Sequence, residues 1–187
     1  MKLIKVALSL VLMTGIFAPS CLALNPKWQA MNDSGEAFTK ANNYSDAEKQ
    51  FILARDYAAQ ASLKLELIKT CLDLGWLYDA EKRFAESEKM YSQALALRIE
   101  VLGANAADVG RTYRIIGTEQ VRQNKFEEAE ASFNAALKIF DGGAGGADPT
   151  GYLIGLLEDL SNVLKLEHKT AEAAVIDQRV LSMVRYH

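Results

Sequence analysis

The chain has 187 residues, half of them apolar, and a formal net charge of −3. This length suits one domain, and the mild acidity gives no reason to expect a nucleic-acid partner. Only three prolines occur, and long stretches without glycine or proline are typical of an all-helical protein.

The N-terminus has the pattern of a secretory signal peptide. Lys2 and Lys5 precede an apolar run over residues 6–18, which is too short to span a membrane. Small residues follow, and cleavage there makes residues 1–23 the signal peptide and leaves Leu24 first. Removing this leader leaves 19 basic and 24 acidic residues, a net charge of −5.

A lipoprotein signal acylated at Cys21 is the alternative interpretation of the same segment. The residues before this cysteine, Ala18-Pro19-Ser20, depart from the usual bacterial lipoprotein pattern. We therefore expect an exported protein, periplasmic or secreted, with a membrane-anchored lipoprotein as the alternative.

The first predicted helix hairpin follows the leader. Asn25 and Pro26 form a cap and a first helical residue, and the helix extends to about Lys40. Ser45 and Glu48 have the spacing of a capping box for the second helix.

The next two hairpins repeat one pattern at a period of 42 residues. Helices are predicted over residues 63–81 and 84–101, and then over 106–123 and 126–140. Gly103 is the expected C-cap between these hairpins, and Asn105 is the expected N-cap of the following helix.

A glycine-rich stretch over residues 141–147 precedes the last hairpin. It lacks the preceding strand and the Gly-Lys-[Ser/Thr] ending of a phosphate-binding loop, so we interpret it as a flexible connector. The final helices are expected over 149–166 and 170–185. Asp177 replaces the aromatic residue of the other hairpins, as suits a polar terminal cap.

Equivalent small residues define the repeat. Gly35, Gly75, Gly117 and Ser161 are spaced by 40, 42 and 44 residues. The small side chains allow close helix approach, and the aromatic ones are expected to fill space between successive hairpins. The structural positions are Gly35, Gly75, Gly117, Ala47, Ala129, Ala173, Tyr91 and Phe133.

This pattern resembles the tetratricopeptide repeat. Leu74-Gly75-x-x-Tyr78 and Ala129-x-x-x-Phe133 follow its signature, and the 42-residue period is similar to the longer kinesin-light-chain subclass. The resemblance implies an all-α solenoid of about four hairpins in a right-handed superhelix, with units at about 26–62, 63–104, 105–141 and 148–187. Armadillo and HEAT repeats have a similar period but lack these pairings. The leader suggests an exported bacterial member, so attachment to kinesin is not implied.

No residue set predicts catalysis. His168 and His187 have no metal-ligating neighbours in sequence, and Cys71 lies on an apolar helix face as a core thiol. The adjacent acids Glu127-Glu128 and Glu158-Asp159 are typical of solvated helix surface. We therefore expect no enzyme activity, no cofactor and no metal.

The first helix of each unit lines the concave groove in this family. Counting from the equivalent glycines predicts a set of exposed groove residues: Asn32, Glu36, Lys69, Trp76, Asp79, Arg111, Arg114, Thr118, Arg122, Glu158 and Asn162. Only Asn162 matches the asparagine of a carboxylate clamp, so that clamp is not expected.

Trp76 and the arginine stripe of Arg111, Arg114 and Arg122 suggest a mixed apolar and cationic groove. The expected function is a non-enzymatic scaffold that binds a peptide or partner protein, acidic with an apolar anchor. No nucleic acid, membrane span or small-molecule substrate is expected. The alternative is a lipid-anchored cell-envelope assembly factor, held through Cys21.

Overall fold

The computed structural model of the protein describes residues 25–142 and 149–185. The predicted signal peptide with Cys21, the Leu24 start, most of the glycine-rich connector and His187 lie outside the described residues.

The described chain forms helices and no strands. Each helix packs against the next one in the chain, so the helices pair into four successive hairpins. The prediction of an all-α hairpin solenoid is confirmed for these residues. The helices are α1 (Pro26–Lys40), α2 (Tyr44–Gln60), α3 (Lys64–Ala80), α4 (Phe84–Leu102), α5 (Ala107–Arg122), α6 (Phe126–Asp141), α7 (Pro149–Leu166) and α8 (Thr170–Arg185).

Asparagine side chains cap the N-termini of both helices of the first hairpin. The Asn25 side chain accepts a hydrogen bond from the Trp28 backbone N–H at 3.4 Å, as predicted. The predicted Ser45 capping box is wrong, because α2 begins at Tyr44 and Ser45 already lies inside the helix. Asn43 provides that cap and accepts from the Asp46 N–H at 3.4 Å.

Gly103 ends α4 with a φ of 85°, a left-handed conformation that glycine adopts without strain. Asn105 was expected to cap α5, and this prediction is wrong. The residue before α5 is Ala106, and its side chain accepts no hydrogen bond from the N–H groups of the first turn.

One left-handed residue closes the turn inside every hairpin. These residues have φ values of 57–63° and lie seven positions after the equivalent glycine or serine. They are Asn42, Lys82, Asn124 and His168. His168 is therefore a turn residue, consistent with the several-fold enrichment of His and Asn in this conformation.

Each repeat glycine is covered by an aromatic ring sixteen residues later in the same hairpin. A Cβ atom on Gly75 would lie 2.8 Å from the Tyr91 ring, and on Gly117 it would lie 2.6 Å from Phe133. These rings were expected to fill the space between successive hairpins. Phe133 does also border α7, but its closest contact is with its own hairpin. Buried Ala47, Ala129 and Ala173 are the small partners on the second helices.

The fourth hairpin replaces the glycine and ring with a polar contact. The Ser161 hydroxyl donates to the Asp177 carboxylate at 2.5 Å, and Lys165 pairs with the same carboxylate at 2.9 Å. This agrees with a polar closing helix, although α8 still exposes Leu181 and Val184.

Within residues 25–142 and 149–185, none of the helices combines the length and apolar character needed to cross a bilayer.

Candidate functional site

The first helices of the hairpins, α1, α3, α5 and α7, are joined side by side through polar side chains. We call the surface that carries these contacts the first-helix face. The ion pairs that cross between first helices are Lys69–Glu36, Arg122–Asp79 and Arg114–Asp159.

A buried polar network joins α1 to α3 beneath this face. The Trp28 indole N–H donates to Thr70 Oγ1 at 2.8 Å, and Thr70 Oγ1 lies 3.3 Å from Asn32 Oδ1. Asn32 is 0% exposed, so its prediction as a groove residue is wrong. Its side chain turns towards α3, where the hydrogen bonds satisfy its amide.

The same network fixes two carboxylates at the surface. Asn32 Nδ2 donates to Glu36 and to Asp73, each at 3.1 Å. Lys69 Nζ donates to the same two groups at 2.7 and 2.9 Å. The hydrogen bond from Lys69 is the largest influence on Glu36 and lowers its pKa, so this carboxylate is ionised near neutral pH.

Trp76 is exposed on the first-helix face. Its exposed fraction is 51%, whereas that of Trp28 is 1%. The indole borders a cleft of about 230 Å³, which we call the Trp76 cleft; its lining residues are Glu36, Thr39, Lys40, Phe51, Asp73 and Trp76. An exposed aromatic surface within a polar rim is typical of an interaction site.

The arginine stripe carries its own acidic partners. The pairs are Arg111–Asp108 at 2.9 Å, Arg114–Asp159 at 2.6 Å, and Arg122 with both Asp79 and Glu119. The stripe is therefore largely neutralised within the protein. Arg111 is the most available member, because its one ion-pair partner among the described residues lies three residues away on an exposed helix surface, and such pairs are weak.

Arg114 is fixed between α5 and α7. Its guanidinium lies 4.9 Å from the centre of the Tyr152 ring, a cation–π distance. A Cβ atom on Gly155 would approach Arg114 Nη2 to 2.8 Å, so the absence of a side chain there makes room for the guanidinium.

A second cleft of about 440 Å³ surrounds this arginine, and we call it the Arg114 cleft. Its lining residues are Arg111, Arg114, Ile115, Thr118, Tyr152 and Asp159. A smaller recess of about 140 Å³ contains Thr118 and Asn162. Glu158 is exposed on α7 nearby.

The predicted groove residues therefore divide between two places. Trp76 lies in one cleft, and Arg111 and Arg114 lie in the other, so they do not form the single mixed site that was expected. Arg122 provides the connection, since it reaches from α5 to Asp79, one helical turn beyond Trp76.

Two acids that pair with these cations, Asp73 with Lys69 and Asp159 with Arg114, were absent from the predicted groove residues. Asp73 and Asp159 each lie two residues before the equivalent glycine or serine, and Asp33 occupies the same position in the first hairpin. This recurrence was a usable signal. No recurring pattern in the sequence predicted the contact between Tyr152 and Arg114.

The only cysteine in the described residues is not a reactive group. Cys71 is buried, and burial raises the pKa of its thiol to about 11, so it stays protonated near neutral pH. Across the described ranges, no cluster of three or more His, Cys, Asp or Glu residues could hold a metal ion.

Comparison with known proteins agrees with this architecture. Residues 70–141 match the tetratricopeptide repeat family. The fold is similar to the crystal structure of BtubC (BKLC) from P. vanneervenii, with a TM-score of 0.76 and 17% identity over 85% of this chain and 63% of that one. It is also similar to a Podosopora anserina putative kinesin light chain with nearly identical TPR-like repeats, with a TM-score of 0.68 and 11% identity over 84% and 74% of the two chains.

The chain thus spans less than two thirds of the length of BtubC. No curated protein matches it. At these identities, the structural similarity establishes the fold alone.

Proposed function

Since the chain is a tetratricopeptide repeat protein by its matched segment and its fold, we propose that it is a non-enzymatic scaffold that binds a protein segment along its first-helix face. Repeat solenoids present extended surfaces built from successive helices, and such surfaces suit peptides and helices.

The exposure of Trp76 is the observation that carries this proposal. The large aromatic side chains that stabilise the repeats, such as Trp28, Phe51 and Phe133, are buried. Trp76 is exposed beside a cleft and contributes little to the closure of any hairpin. Tryptophan and arginine are the residue types most enriched among side chains that dominate binding energy.

The two clefts support a partner with two different contacts. An apolar side chain of the partner would occupy the Trp76 cleft. An acidic side chain would bind Arg111 at the Arg114 cleft, where the existing pair with Asp108 is exposed and easily exchanged. Arg114 would contribute less, because Asp159 and Tyr152 already hold it.

A random 12-residue peptide library displayed on phage tests this proposal. Peptides selected on the wild-type protein are expected to combine an apolar residue with Asp or Glu. The Kd of a selected peptide, measured by fluorescence anisotropy, should rise roughly 30-fold in Trp76→Ala, the effect of a hot-spot loss of about 2 kcal/mol. Arg111→Gln should give a smaller loss of affinity and a weaker dependence on salt.

Val175→Ala is the matched control, since Val175 is exposed on α8, away from both clefts. Its Kd should equal that of the wild type, and the Tm of Trp76→Ala should stay close to the wild-type value. Peptides that bind all three variants equally would place recognition elsewhere and contradict the proposal.

For the location of the protein, we propose export, with a mature chain that starts at Leu24. The basic start, the apolar run and the small residues of the leader support this. Intact-mass measurement of the exported protein should give the mass of residues 24–187. A diacylglycerol adduct on Cys21 would instead support the lipid-anchored envelope assembly factor.

A further inference from the structure

Glu119 is a carboxylic acid at a position that the other three hairpins fill with apolar residues. It lies two residues after Gly117, where the corresponding residues are Ala37, Leu77 and Val163. Its exposed fraction is 2%, and its Oε2 atom has no hydrogen-bond partner among the described residues. An ionised carboxylate in this environment is costly, because burial removes the hydration of its charge.

Charged and titratable groups face Glu119 from three helices. On its own helix, Arg122 Nη1 donates to Glu119 Oε1 at 3.0 Å. From α3, Asp79 accepts from the same guanidinium nitrogen. From α4, the Glu88 carboxylate and the Tyr91 ring lie close enough to interact with Glu119 electrostatically.

This environment favours the neutral carboxyl group. Burial raises the pKa of Glu119 from its ordinary 4.5 to about 7. The positive charge of Arg122 opposes this rise, and the negative charge of Glu88 adds to it. At the start of α6, Lys125 donates to Glu88 at 2.8 Å and partly compensates that charge.

We propose that Glu119 is a proton-operated latch between the second and third hairpins. When Glu119 is neutral, Arg122 forms its ion pair with Asp79 alone, and this pair holds α5 against α3. When Glu119 is ionised, it competes with Asp79 for the same Arg122 nitrogen and loosens this contact.

The latch is connected to the Trp76 cleft through α3. Asp79 follows Trp76 by three residues, so both side chains lie on the same side of the helix. Loosening of the Arg122–Asp79 pair would therefore change the surroundings of the exposed indole. This inference goes beyond the proposed function and does not require that a partner be known.

The sign of the pH effect follows from proton linkage. Between pH 4.5 and about 7, the folded protein holds a proton on Glu119 that the unfolded chain has already released. The folded state binds more protons in this window, so its stability falls as pH rises through it.

A pH series from 5 to 8.5 on the wild type, Glu119→Gln and Glu127→Gln tests the latch by Tm and tryptophan emission. The Glu119→Gln substitution keeps the shape of the side chain but removes its ability to ionise, and Glu127 is an exposed control on α6. A Trp76→Phe variant identifies which part of the emission comes from Trp76. The wild type and Glu127→Gln should lose several °C of Tm across the series, with a parallel change in Trp76 emission, and Glu119→Gln should lose much less.

Three results would overturn the latch. One is an equal pH dependence of Tm in the wild type and Glu119→Gln, another is a Trp76 emission that ignores pH, and the third is a Glu119 carboxyl ¹³C resonance that titrates near 4.5. Glu167 in the last turn also has a pKa raised by burial, but it is present in every variant and cancels in the comparison. If Glu119→Gln folds poorly, Glu119→Leu, which copies Leu77 of the second hairpin, replaces it as the non-ionising variant.

Discussion

Trp28→Ala is expected to destabilise the protein by about 3–5 kcal/mol, the usual cost of truncating a fully buried tryptophan. The indole packs in a buried cluster with Ala54 and Ala58 of α2, and its N–H donates to Thr70 of α3. The substitution leaves a cavity and removes that hydrogen bond. The free energy of unfolding, obtained from urea titration followed by circular dichroism, measures the effect.

Trp76→Ala is the matched control for this experiment, because it removes the same side chain from an exposed position. Its free energy of unfolding should stay within about 0.5 kcal/mol of the wild type, as is usual for surface substitutions. A similar loss in both variants would show that Trp76 stabilises the fold, and Trp76 would then no longer serve as a binding anchor.

Gly117→Leu is expected to destabilise the third hairpin by at least about 1–3 kcal/mol, the range for added bulk in a packed core. Even a Cβ atom would lie 2.6 Å from the Phe133 ring, so the ring or the helix must move. Ala131→Leu adds comparable bulk at an exposed position of α6 and should leave the Tm nearly unchanged.

The double variant Gly117→Ala with Phe133→Leu separates crowding from an intrinsic role of glycine. If the clash with the ring is the cause, the smaller partner should relieve part of the cost of Gly117→Ala, giving a coupling energy outside additivity. Strict additivity of the two changes would mean that the ring and residue 117 do not compete for space.

The hairpins were predictable because the pattern that forms them is local and repeated. Gly75 and Tyr91, like Gly117 and Phe133, keep the same sixteen-residue interval, and each pair forms one helix–helix contact. A recurring small residue with a recurring ring leaves few alternative packings, so fold class and helix boundaries followed from the sequence.

The surface of the first helices was less predictable, because long side chains choose partners that the repeat does not specify. The spacing from the repeat glycine predicted Asn32 as an exposed groove residue. Its side chain is instead buried, and its amide oxygen accepts a hydrogen bond from the Thr70 hydroxyl. The arginine stripe was found, yet its neutralisation by Asp79 and Asp159 depends on contacts between residues more than forty positions apart. Such pairs depend on side-chain rotamers and on the spacing between helices, which sequence periodicity leaves open.

Site-specific photocrosslinking is the most direct test of partner binding along the first-helix face. A benzophenone amino acid would replace Lys40, an exposed residue that lines the Trp76 cleft, in one protein and Val175 in another, and each would be irradiated with the same biotinylated library-selected peptide. We expect an efficient crosslink from position 40 and none above background from position 175. A crosslink from position 175 with none from position 40 would contradict binding along the first-helix face.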